Sequence, residues 1–208
     1  MEAEASLIRP FLPDARFGLS GATLSGARQV VLDLLESGVD ALLSFGLAAG
    51  LDPALAPGAV VIPQNVMVNG ERLPASPALL SWLGADRADV VGGDLLHSDV
   101  IVTAATRKTA LFRQTGCVAL DMESGVVAEM AAARKVPFAV MRVVCDPADR
   151  TLPPAAVVAL RPDGRLAVGA LTRSILCDPL QIPALMRVGR DAGHARKAAQ
   201  AALARRFG

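Results

Sequence analysis

At 208 residues, with 52% hydrophobic and 20% charged side chains, the chain is sized for one domain and can bury a large core, which excludes wholesale disorder. Six Phe, one Trp and no Tyr leave the core to Leu, Val, Ile and Ala, and argue against a surface of stacked aromatics for single-stranded nucleic acid. The net charge of +1 supplies no overall attraction to nucleic acid.

The acidic N-terminus, MEAEASLIRP, has no apolar signal core. Gly21 to Glu36 carries Val30, Val31, Leu34 and Leu35 at helical spacing and predicts a helix closed by Gly38. Val39 to Phe45 reads as a buried strand, and the small residues Gly46 to Gly50 read as the turn after it. Gly58 to Val68 predicts a second strand interrupted at Pro63. A third is expected over Asp99 to Thr103, a helix over Thr106 to Arg113 and a fourth strand over Cys117 to Leu120. Glu123 to Arg134 predicts a helix, and Pro137 to Cys145 a fifth strand that is apolar throughout except for Arg142. The longest uncharged window, Pro53 to Gly70, holds three prolines and is no spanning helix. This alternation predicts an α/β fold, a three-layer α/β/α sandwich around a mixed, mostly parallel central sheet.

Residues 1–171 are expected to form that α/β domain, with 172–208 a basic amphipathic tail packed on it. From Thr172 to Gly208 seven Lys and Arg face two Asp, a surplus of five positive charges in a nearly neutral chain. Leu185, Val188, Ala192, Ala195, Ala199 and Ala202 recur at helical spacing. The tail fits a solvated helix docked by that stripe, and its charge also suits peripheral contact with anionic lipid. Cys117, Cys145 and Cys177 are odd in number and widely spaced, with no CxxC pair. That predicts a reduced, cytoplasmic setting and no metal site.

The chemistry concentrates in Ala119-Leu120-Asp121-Met122-Glu123-Ser124-Gly125 and in Arg142-Val143-Val144-Cys145-Asp146-Pro147. Glu123 follows one strand and opens a helix, and Asp146 follows the next strand. A right-handed crossover would set both carboxylates at one sheet edge, where open α/β sheets bind ligands. The same residues also fit plainer roles, Glu123 complementing a helix dipole and Asp146 capping a turn. His97 and His194 are lone histidines and make no Ser-His-Asp triad. Gly92-Gly93-Asp94 falls short of a dinucleotide-binding turn, and no phosphate-loop lysine motif is present.

DMES followed by RVVCDPAD resembles the signature of the nucleoside phosphorylase superfamily, which includes purine nucleoside phosphorylases and methylthioadenosine/S-adenosylhomocysteine nucleosidases. Ser20-Gly21-Ala22 with Ala27 resembles its SGIGKxxA helix start. Phe45 to Leu51 resembles its TGSAGGL turn, and Met1 to Ala5 its MEEEV segment. The stretch CDPADRTLPPAAVVALRPDGRLAVGAL with the basic tail is similar to the hopanoid-biosynthesis-associated branch. That resemblance implies cleavage of the N-glycosidic bond of an adenine nucleoside with an apolar 5′ substituent, adenosylhopane, without a cofactor. It implies water or phosphate as nucleophile, a homo-oligomer, and no nucleic-acid partner. Methylthioadenosine/S-adenosylhomocysteine nucleosidase, general purine nucleoside phosphorylase and a non-catalytic nucleoside-binding relative are the alternatives.

By the same resemblance Asp146 protonates the base, Glu4 activates water, Glu123 holds the ribose hydroxyls and Met122 packs on the ribose. Ala48, Gly50 and Gly21 lie along the substrate. The chain departs from the pattern in three ways. About eight residues of a first strand are expected to be missing ahead of Met1. Leu47 replaces the serine of TGSAGGL, and Thr103 to Lys108 offers no base-stacking phenylalanine.

Overall fold

A strand that is apolar on both sides must be covered on both faces, and two nine-residue strands of this kind, each with few polar residues, form the centre of this molecule. The computed structural model describes residues 2–21, 23–159 and 168–208. Met1 and Ala22, and residues 160–167 of the stretch similar to the hopanoid-associated branch, lie outside the described residues. In chain order the helices are α1 (Glu2–Ile8), α2 (Leu24–Glu36), α3 (Pro77–Leu83), α4 (Ala105–Thr115), α5 (Ser124–Arg134), α6 (Pro154–Ala159), α7 (Val168–Cys177) and α8 (Ile182–Phe207). The strands are β1 (Leu42–Gly50), β2 (Val60–Val61), β3 (Asn65–Val68), β4 (Glu71–Pro74), β5 (Val90–Val91), β6 (Asp94–His97), β7 (Ala119–Asp121) and β8 (Phe138–Asp146).

The eight strands form one sheet in the order β4-β3-β6-β7-β1-β8-β2-β5. It is mixed: β1 with β8, β2 with β5, β3 with β6 and β6 with β7 are parallel, and the other three pairings are antiparallel. β8 shows why its sequence is apolar apart from Arg142 and the terminal Asp146. Phe138, Val140 and Val144 join a cluster with Val31 of α2 and Val127, Ala128 and Ala131 of α5. Ala139, Met141 and Val143 join the opposite cluster, with Ile8 of α1 and Ala195, Ala199 and Leu203 of α8. Helices therefore cover both faces of the sheet. In the tail Ala195 and Ala199 are buried, Leu185, Val188, Ala192 and Ala202 are half-buried, and α8 lies on β8 and α1.

Three local readings change. Gly46 to Gly50 is not a turn: β1 runs through it, because Gly46, Leu47 and Ala48 stay in register with Arg142, Val143 and Val144 of β8. Asp99 to Thr103 forms no strand, and Val100 and Ile101 stand exposed. The strand is β6, just before it, which fits between β3 and β7. The third change concerns direction. β7 is antiparallel to β1, whereas β8 is parallel to it, so β7 and β8 run oppositely. The expected crossover, with both strand ends at one edge, is not formed. Gly58 to Val68 is two strands, β2 and β3, on either side of Pro63; strand β4, helix α3 and strand β5 had no reading in the sequence, and all three are short.

β7 reaches only Ala49 and Gly50 of β1. Among the described residues no strand covers the rest of that edge of β1.

Candidate active site

Asp121 ends β7 and is buried. It accepts hydrogen bonds from the Ser124 backbone N–H at 3.2 Å and from Ser124 Oγ at 2.6 Å, and so caps the start of α5. Arg142 projects from the middle of β8 onto the same carboxylate, with Nε 2.6 Å from Asp121 Oδ2. Its Nη2 donates to Ser44 Oγ at 2.7 Å and to Ser124 Oγ at 3.0 Å, and lies 3.8 Å from Glu123 Oε2. Its Nη1 is buried with no hydrogen-bond partner among the described residues. Burial by itself would lower the pKa of this guanidinium. The carboxylates of Asp121, Glu123 and Glu4 outweigh that and hold it raised, so Arg142 is a fixed cation.

Glu123, freed from capping by Asp121, turns toward Ser20, which donates to Glu123 Oε1. Glu4 comes from α1, and its Oε1 accepts the Leu47 backbone N–H at 2.9 Å. Gly46 makes this approach possible: a Cβ there would lie 2.6 Å from Arg142 Nη1 and 2.8 Å from Glu4 Oε1. Glu4, Ser20 and Glu123 thus border one end of a cavity of about 800 Å³. Its other walls mix apolar side chains, Phe17, Val30, Val31, Leu34 and Trp82, with Asp14, Arg16 and Asp40.

Asp146 stands elsewhere. The register of β8 against β1 slips between Ala48 and Ala49, so Cys145 is an extra residue and Asp146 follows a bulge. Asp146 lies four positions along the strand from Arg142, a rise of about 13 Å. Asp146 pairs at 2.6 Å with Lys108 Nζ of α4, a side chain with no exposure at all. The same Nζ donates to the carbonyls of Pro147 at 3.0 Å and Arg150 at 2.9 Å, which uses its three protons. Burial raises the pKa of Asp146, and the hydrogen bond and charge of Lys108 oppose that rise. Burial also pushes the neighbouring Cys145 thiol up to about 12. Asp146 lines a second cavity of about 330 Å³ with Asp149, Arg150, Arg187 and Asp191.

The structure therefore brings Glu4 and Glu123 together and sets Asp146 apart. Met122 is half-buried beside Glu123, and Gly21 lies in the turn before α2 with φ +64°. Ala48 is buried opposite Val144, and Gly50 pairs with Ala119; neither borders the larger cavity. Sequence reasoning missed Asp121, Ser20, Ser44 and Lys108. Lys108 had a signal: it precedes Leu111 and Phe112 by three and four residues, on the stripe of α4 that faces the core.

The phosphorylase superfamily profile matches residues 20–176. A 5′-methylthioadenosine/S-adenosylhomocysteine nucleosidase of Baumannia cicadellinicola subsp. Homalodisca coagulata is 26% identical over 130 residues, covering 52% of this chain and 57% of that protein. The chain thus spans little more than half the length of this curated relative. Among solved structures, the 5′-methylthioadenosine/S-adenosylhomocysteine nucleosidase of Neisseria meningitidis in complex with methylthio-immucillin-A superposes with a TM-score of 0.64 at 18% identity, covering 98% of this chain and 94% of that one. The corresponding Helicobacter pylori enzyme with butyl-thio-DADMe-Immucillin-A gives 0.61 at 14% identity, covering 99% and 95%. At these identities the likeness is one of fold.

Proposed function

The chain belongs to the phosphorylase superfamily, and within it we propose that it cleaves the N-glycosidic bond of an adenine nucleoside. The observation that carries this reading is the family match over residues 20–176, which takes in both the Asp121-Met122-Glu123 and the Arg142 to Asp146 segments. The curated relative and both solved nucleosidases agree with an adenine nucleoside as the ligand class.

Breaking this bond leaves positive character on the ribose and negative charge on the base. Glu123, beside the fixed cation Arg142, accepts the ribose hydroxyls and balances the electron-poor sugar. Met122 packs on the ribose, and Glu4, tied to the Leu47 N–H, orients the attacking water. Asp146, whose pKa burial raises, holds the proton that adenine needs in order to leave neutral. This division of labour requires the base to reach the Lys108 end of β8 while the ribose stays at the Glu123 end.

The substrate we favour is adenosylhopane or another adenosine with a long apolar 5′ group, cleaved by water or phosphate in an oligomer. The apolar part of the wall beyond Glu4 and Glu123, formed by Phe17, Val30, Val31, Leu34 and Trp82, supports that choice. Ordinary methylthioadenosine nucleosidase activity is the second reading, favoured by the curated relative. The test is release of free adenine from adenosines bearing short polar or long apolar 5′ groups, with and without phosphate. Release from the long-chain substrate that is lost in Asp146→Asn and Glu123→Gln is the expected result. Release only from the short one moves the substrate to methylthioadenosine. Binding of adenosine without any release by a folded protein would make the chain a nucleoside-binding relative.

A further inference from the structure

Leu176, Leu180, Ile182 and Met186 are 76%, 88%, 41% and 66% exposed, and they lie within one short stretch where α7 meets α8. They make up half of the large hydrophobic side chains that stand exposed among the described residues. Scattered apolar surface needs no explanation, but a cluster of this kind does. The backbone beneath it is pinned. Gln181 is buried, its Oε1 accepts the Ala155 N–H at 2.9 Å, and its Nε2 donates to the Ser174 carbonyl at 2.9 Å. The Asp178 side chain accepts the Leu180 N–H at 3.1 Å. The apolar side chains therefore project from a built corner rather than from a frayed end.

Charge surrounds them. Arg173 is exposed on α7, and Arg187 and Arg190 are exposed on α8. Along α8 the exposed positions recur at Ile182, Met186, Arg190 and His194, steps of four, while Asp191, Ala195, Ala199 and Leu203 face the protein. One helix face thus passes from an apolar foot to Arg190, and Arg187 is exposed on the same helix. The exposed acid at the corner, Asp178, is engaged in capping Leu180, and Asp191 is turned inward against Arg150.

We propose that the α7–α8 corner is a docking surface for an anionic lipid bilayer. Leu176, Leu180, Ile182 and Met186 enter the acyl boundary, and Arg173, Arg187 and Arg190 meet the phosphates above it. Leu, Ile and Met side chains with arginines around them give an apolar foot and a cationic rim, and that charge complements an anionic headgroup layer. No described helix is long and apolar enough to cross a membrane, so the contact is peripheral. This inference does not depend on the glycosidic chemistry.

The test uses the full chain and large vesicles of phosphatidylcholine with or without phosphatidylserine, read by co-sedimentation. A polarity-sensitive dye on Cys177, exposed while Cys117 is buried and the Cys145 thiol is hard to ionise, reports insertion. Binding to the anionic vesicles with a blue shift of the dye is expected. It should weaken about thirtyfold in Arg187→Gln/Arg190→Gln and vanish in Leu180→Ser/Met186→Ser, whose folding is checked by circular dichroism. No binding to either vesicle, or binding undiminished by the serine pair, overturns the proposal. A concentration-dependent dimer that the serine pair abolishes, with no vesicle binding, would also overturn it and give the corner to a second copy of the chain.

Discussion

Two cations inside the protein decide where its carboxylates stand. Arg142 gathers Asp121 and Glu123, and Lys108 fixes Asp146. Removing one partner of a buried pair leaves the other uncompensated, so Lys108→Met should lose about 3–5 kcal/mol at neutral pH in urea unfolding. The deficit should narrow as pH falls, because a proton on Asp146 replaces the missing charge. In the wild type Asp146 binds its proton more tightly folded than unfolded. Its contribution to stability therefore falls as pH rises from the ordinary carboxylate range through the raised value. Without the opposing charge of Lys108 the raised value climbs further. The basic limb of adenine release should accordingly move to higher pH in Lys108→Met. A different outcome is expected at Gly46. Its missing Cβ leaves room for both Arg142 Nη1 and Glu4 Oε1, so Gly46→Ala should cost about 1–3 kcal/mol in thermal melts and displace Glu4 from Leu47.

Among the elements, β8 carries both Arg142 and Asp146, and the segment leading into α2 carries Ser20. Thr23 caps α2 through its side chain, which accepts the Gly26 N–H at 3.1 Å. Thr23→Ala should therefore cost about 1 kcal/mol and lower the Tm, measured by circular dichroism. Ser20, which holds Glu123, lies three residues before that cap, so fraying of α2 should weaken the substrate site as well as the fold. In β8 the bulge at Cys145 interrupts the pairing with β1 just where Asp146 leaves the strand. Bulges re-aim side chains beside functional sites, and this one directs Asp146 toward Lys108 of α4 rather than toward Arg142.

The whole molecule depends on α8. Leu203 is fully buried in the cluster that α8 forms with β2, β8 and α3, so Leu203→Ala should cost about 2–5 kcal/mol in chemical unfolding. Arg196→Ala, on the exposed face of the same helix, should change stability by no more than about 0.5 kcal/mol. The contrast separates the two faces of the tail: one closes the core, and the other is left to carry charge into solvent.

Periodicity and composition sufficed for α2, α4, α5 and β8, because each buries a face whose spacing is written locally. The order of motifs from Ser20 to Asp146 sufficed for the family, since each marks a turn or strand end that the fold reuses. Direction and adjacency were not legible. Nothing within Ala119 to Asp121 says that β7 runs against β1, and this reversal separates Glu123 from Asp146. Nor does the small-residue run Gly46 to Gly50 announce a central strand, since β8 and β7, distant in the chain, supply the partners that make it one. Lys108 and Arg142 read as a helix charge and an in-strand arginine until distant segments close around them. A local pattern fixes which face of an element is apolar; which carboxylate meets which buried cation depends on strand order and register, and these are set by contacts far apart in the chain.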